Sequence, residues 1–137
     1  MNIKRYALTA IVLFVFTTAF DFLVHGILLQ ETYAATSALW RPESEMQSFM
    51  PLMFATQFVF AAVFVFIFTR NYEGKGLGEG MRYGLYIGIL FAVIEIQKFC
   101  YMPVPFSLPL SWALSVIVWA VLAGILLSLL YREEAPA

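Results

Sequence analysis

Charge is scarce in this chain, and histidine and cysteine are scarcer. Only 12% of its 137 residues are Asp, Glu, Lys or Arg, and it holds one histidine and one cysteine. Soluble domains carry roughly 25% charged residues. With 62% hydrophobic positions and a mean hydropathy of +0.84, a water-soluble globule is excluded. The single cysteine, Cys100, excludes an intramolecular disulfide framework and a four-thiolate metal site within one chain. With no CxxC partner nearby, it is expected to be a buried, inert thiol. The single histidine, His25, excludes bis-histidine haem ligation within one chain. A net charge of −1 and the lack of a basic run leave no footprint for nucleic acid. There is no internal repeat, no HExxH and no GK[ST]. The length suits one compact unit, a single transmembrane domain over residues 1–137.

Long apolar runs are what the chain does have. A spanning helix needs about 20 mostly apolar residues. Four segments qualify: 6–29, 49–69, 81–102 and 110–131. Runs such as 10–16 are apolar at every position. That pattern fits a helix rather than the alternating strand of a membrane barrel. The predicted fold class is therefore all-α, a four-transmembrane-helix bundle. The first apolar run continues through Asp21 to Leu29 without an Ala-x-Ala pattern. It is expected to be a retained span rather than a signal peptide.

Orientation is read from Lys and Arg. Lys4, Arg5, Arg70, Lys75, Arg82 and Arg132 flank one side, and Arg41 alone marks the other. This predicts both termini and the second loop in the cytoplasm. The first loop, 30–48, is then outside and acidic, with Glu31, Glu43 and Glu45. Tyr33, Trp40 and Trp112 are expected as interfacial anchors. Pro42 marks that loop, Gly74, Gly76, Gly78 and Gly80 make a flexible turn, and Pro103, Pro105 and Pro109 stiffen the last loop.

Helices in lipid approach closely through small residues. Gly80, Gly84, Gly88 and Ala92 recur every four residues in span three, and Ala120, Gly124 and Ser128 do so in span four. The two stripes mark contact faces, either with each other or with another copy of the chain. Span two is filled with phenylalanine, which is expected to face lipid.

Ionisable groups inside a span cost roughly 2.5–3.5 kcal/mol each. Span one carries Asp21 and His25, span three carries Glu95 and Lys98, and span two adds Gln57. At about 1.5 Å per residue all five fall in the outer half of the bilayer. Asp21 and His25 are i and i+4, so they share one helix face. Bringing spans one and three together is expected to create an Asp21–Lys98 or Glu95–His25 contact. The alternatives are a structural ion pair, or Lys98 and His25 snorkelling to the surface.

Asp21, His25 and Glu95 offer mixed oxygen and nitrogen ligands to a metal. Met46, Met50 and Met53 form a thioether stripe that suits Cu(I). No cofactor is expected.

The stretches Phe20-Asp21-Phe22-Leu23-Val24-His25-Gly26, Leu39-Trp40-Arg41-Pro42 and Tyr72-Glu73-Gly74-Lys75-Gly76 lead up to a glycine-rich third span. In these the chain resembles small four-helix bacterial inner-membrane proteins of a domain-of-unknown-function family. The resemblance implies that architecture and a bacterial inner membrane. It carries over no activity and no catalytic residue. The chain lacks the glutamate motif of the small multidrug transporters and the Asn and paired-Phe pattern of the small fluoride channels.

The expected function is a non-enzymatic membrane protein whose polar layer fixes an assembly or docks a partner. The assembly is a homo-oligomer or a larger membrane complex in the lipid bilayer. A small oligomeric transporter or channel using Asp21 and Glu95 for ions or protons is the second reading. A membrane enzyme on a lipid-like substrate is the third, and it requires a lipid-sized cavity reaching His25.

Overall fold

The structure is a computed structural model that describes residues 2–131. Arg132, counted above for orientation, lies outside the described residues. All regular structure among the described residues is helical. The α-helices are α1 (Ile3–Asp21), α2 (Gln30–Ala35), α3 (Glu43–Ser48), α4 (Met50–Arg70), α5 (Leu77–Gln97) and α6 (Ser107–Leu130). A π-helix, Phe22–Leu28, continues α1, and a 3-10 turn, Lys98–Cys100, continues α5. Four stretches are long and apolar enough to cross a membrane: Ile3–Leu28, Met50–Arg70, Leu77–Cys100 and Ser107–Leu130.

Helix ends follow local chemistry. Asn2 caps α1, its side-chain oxygen accepting the Arg5 N–H at 3.1 Å. Pro51 sits in the first turn of α4 and Pro109 in the first turn of α6, where an N–H has no helical partner to lose. The loop before α5 is more ordered than its glycines imply. The buried Glu79 carboxylate accepts the backbone N–H groups of Glu73 at 2.6 Å and Lys75 at 2.8 Å. Gly74 and Gly76, both at φ 73°, supply the left-handed turns that aim those groups inward.

The helices pack as two pairs, α5 against α6 and α1 against α4. The small-residue stripes meet each other. A Cβ on Gly80 would collide with the Gly124 carbonyl, and one on Gly84 would collide with the Ala120 carbonyl. Gly84, Gly88, Ala92, Ala120, Gly124 and Ser128 are all buried. The backbones touch because nothing stands between them.

Aromatic rings join the pairs. Trp119 of α6 lies 5.4 Å from Phe60 and 5.1 Å from Phe64 of α4, centroid to centroid. The Tyr83 hydroxyl of α5 donates to the Phe64 carbonyl at 2.8 Å. Span two therefore uses its rings on both sides. Phe64 and Phe68 are buried in the core, while Phe58 and Phe66 are exposed. At the end where α1 begins and α6 ends, Leu13, Val65, Leu127 and Tyr131 fill the centre with at most 1% exposure. Toward the other end the pairs diverge, and a cleft opens between them.

Candidate functional site

The cleft has a volume of about 1010 Å³. Asp21, His25, Gln57, Glu95 and Lys98 all line it, so the five polar residues of the three spans converge on one space. The expected ion pairs across it do not form. Each polar group is instead held by a nearer neighbour.

Asp21 ends α1, and its Oδ2 accepts from Gln57 Nε2 of α4 at 2.6 Å. The Thr18 hydroxyl, one turn back, lies 3.0 Å from Gln57 Oε1 and donates there, sharing its proton with the Phe14 carbonyl. That contact orients the amide so that its N–H₂ faces the carboxylate. One turn deeper, Trp119 Nε1 donates to the Thr17 hydroxyl at 3.1 Å, and Thr17 donates to the Leu13 carbonyl at 2.8 Å. On the facing wall Lys98 Nζ sits 2.6 Å from Glu95 Oε2, within one turn of α5 and its continuation. The ammonium also stands 5.3 Å from the Trp112 ring centre, a cation–π distance. The snorkelling alternative for Lys98 does not describe this geometry, because the side chain turns inward to Glu95 and is 32% exposed.

His25 lies on the π-helix, where Leu29 N–H donates to the Val24 carbonyl at 2.9 Å, five residues back. Such wide turns cluster at functional sites. The chain then folds back through α2 and brings Tyr33 over the cleft. The Tyr33 hydroxyl lies 2.6 Å from His25 Nδ1 and accepts from Trp112 Nε1 at 2.7 Å. An indole N–H only donates. The phenol oxygen is therefore the acceptor on that side, and in the Nε2–H tautomer of His25 the phenol donates to Nδ1. Burial raises the Tyr33 phenol above its ordinary value of 10.0 and the Glu95 charge adds to this, although the Trp112 hydrogen bond opposes both. Tyr33 thus remains a protonated donor. Asp21 on its own helix, and Glu95 and Lys98 on the facing wall, bring three charged side chains around His25.

Tyr33, Trp40 and Trp112, expected as anchors, pack on one another. Trp40 stacks edge-on against Tyr33 at 5.6 Å and Trp112 at 6.3 Å, so the three rings form a cap on the cleft. They turn inward because each polar ring atom has a partner there, Trp40 Nε1 donating to Thr36 at 2.9 Å. Cys100 corrects the expectation of a buried thiol. It is exposed at the end of its span, because the 3-10 turn rotates it off the packed face.

Met50 and Met53 line the cleft, and Met46 is exposed outside it. Among the described residues no group of three His, Cys, Asp or Glu is placed to share a metal ion. Thr17, Thr18, Tyr33 and Trp119 were missed as site residues. Thr17 and Thr18 had position as their signal, one helical turn from Asp21, and Tyr33 stands eight residues beyond His25, while nothing in the sequence tied Trp119 to the site. No family model, curated protein or solved structure matches the chain, so the chemistry of the site rests on its own geometry.

Proposed function

We propose that this is a non-enzymatic membrane protein whose polar layer docks a small amphiphilic molecule from the surrounding lipid. The observation that carries this reading is the cleft itself. Its floor is polar, its walls are aromatic, and its volume of about 1010 Å³ matches pockets that take ligand-sized molecules. Packed side chains at Leu13, Val65 and Leu127 close it at one end, which favours a one-sided binding site over a pore through one chain. The cavity reaches His25, as an enzyme acting on lipid requires. The reacting groups do not line up for that role. His25 Nδ1 is engaged by Tyr33, and the Ser115 hydroxyl donates to the Trp112 carbonyl at 2.9 Å. Because α5 and α6 occupy each other's glycine faces, no oligomer through those faces belongs to this reading.

The proposed setting is a bacterial inner membrane with both termini cytoplasmic, supported by the lysines and arginines at residues 4, 5, 70 and 75. The cleft then opens in the outer half of the bilayer.

A diazirine-bearing alkyl probe tests the binding. It is expected to label peptides around Met53 and Phe60 in the wild type and to lose that labelling in Ser115→Trp, which fills the cleft. Equal labelling of both proteins, confined to exposed helix faces, would overturn the proposal. On a Cys100→Ser background, an impermeant maleimide applied from outside is expected to label Ser44→Cys and spare Lys75→Cys.

A further inference from the structure

The charges around the cleft do not balance. Asp21 and Glu95 are acidic, and among the described residues Lys98 is the one lysine or arginine in the lining. Lys98 is engaged by Glu95 at 2.6 Å. His25 Nδ1 is engaged by the Tyr33 hydroxyl at 2.6 Å. Among the described residues Asp21 has one hydrogen-bond donor, the neutral Gln57 Nε2, on one of its two oxygens. A carboxylate in lipid without a counter-charge is costly, and buried charges are stable only when paired. A cationic group in the cleft would supply Asp21 with that counter-charge.

The opposite wall already displays how this cleft holds such a group. The Lys98 ammonium rests between a carboxylate and an indole face, at 2.6 Å from Glu95 and 5.3 Å from the Trp112 ring centre. The same two kinds of surface are present on the Asp21 side. Phe20, Phe22 and Phe60 line the same cavity as the carboxylate. Aromatic faces attract cations, and the attraction grows when water is excluded. A phosphate or carboxylate head would meet the reverse situation, two carboxylates and a lysine already engaged.

We infer that the cleft takes an amphiphile with an ammonium head group, seated against the Asp21 carboxylate, with its hydrocarbon tail leaving between the diverging helix pairs. This rests on the binding reading above and names the ligand class for it. Lys98 already occupies Glu95, so Asp21 is the carboxylate that receives the ammonium.

The test is competition against the photoreactive alkyl probe on the whole chain in maltoside micelles. The competitors have the same tail length and carry a trimethylammonium, a hydroxyl or a sulfate head. The ammonium compound is expected to displace the probe from cleft peptides about tenfold more effectively than the alcohol, with the sulfate weakest. In Asp21→Asn the ammonium advantage is expected to shrink to about twofold, while displacement by the alcohol persists. An alcohol or sulfate that competes as well as the ammonium on the wild-type chain overturns the head-group assignment and leaves the cleft reading intact. An ammonium preference that survives unchanged in folded Asp21→Asn overturns the seat at Asp21. If no compound displaces the probe from the cleft, the binding reading itself fails. The ranking on the wild-type chain decides the head group even where the variant does not fold.

Discussion

Trp112 donates its indole N–H to the Tyr33 hydroxyl at 2.7 Å, across 79 positions of sequence. This one contact ties the fold-back after span one to span four and holds the Tyr33 hydroxyl beside His25 Nδ1. Tyr33→Phe removes the acceptor and leaves the buried Trp112 N–H without a partner. An unsatisfied buried donor costs about 1–3 kcal/mol. The variant is expected to melt several degrees below wild type in detergent and to show altered tryptophan emission. An unchanged melt would remove the cap from the account of the site.

Thr17 plays the matching role for Trp119, deeper in the core. Thr17→Val keeps the shape and removes the hydroxyl, so a loss of about 1–3 kcal/mol is expected by thermal unfolding. Thr17→Ser retains the hydroxyl and is expected to recover most of that loss. If valine and serine behave alike, the hydrogen bond is not what holds Trp119.

The glycines of α5 differ in what lies opposite them, which gives a graded series. A Cβ at Gly84 meets the Ala120 backbone, one at Gly88 stands 3.0 Å from Ile117 Cα, and one at Gly78 meets nothing within 4 Å. Gly84→Ala must force two backbones apart and is expected to cost about 1–3 kcal/mol or more. Gly88→Ala should cost less. Gly78→Ala should be neutral or stabilising by up to about 1 kcal/mol through helix propensity. Fluorescence-detected size-exclusion after heating ranks the three. A flat series would contradict the direct contact of α5 with α6.

On the exposed loop, Glu73 pairs with Lys75 at 2.7 Å and Arg82 at 3.2 Å. The Lys75 hydrogen bond and charge, with Arg82 adding less, hold its carboxyl below the ordinary value of 4.5. A depressed carboxylate contributes stability above its unfolded value and loses it as pH falls through the folded one. The difference in melting temperature between wild type and Glu73→Gln should therefore be small at pH 6, because exposed pairs are worth little. It should vanish as pH drops below 4.5. A difference that grows on acidification would reverse the assigned sign.

The four spans were legible in the sequence because hydrocarbon imposes the rule locally. A stretch of about 20 residues must satisfy its own backbone and present apolar side chains, wherever its neighbours lie. The structure shifts the ends of those spans by a few residues, and the glycine stripes of spans three and four are where four-residue spacing puts them. Asp21, His25, Gln57, Glu95 and Lys98 line one cavity, and counting residues along each helix already put them at similar heights.

Partner choice was not readable. The spacing of Asp21 and His25 left Lys98 and Glu95 as natural mates, yet Gln57 and Tyr33 took those positions. Which group reaches which depends on how far two helix pairs diverge, and that is set elsewhere. Gly80, Gly84 and Gly124 draw α5 onto α6, while Phe60, Phe64 and Trp119 hold the pairs apart by the width of their rings. Composition and periodicity determined that this chain has four helices long and apolar enough to cross a membrane, with polar groups set inside them. The cleft between those groups was decided by tertiary packing alone, because a void is a property of the distances between helices and no single segment encodes it.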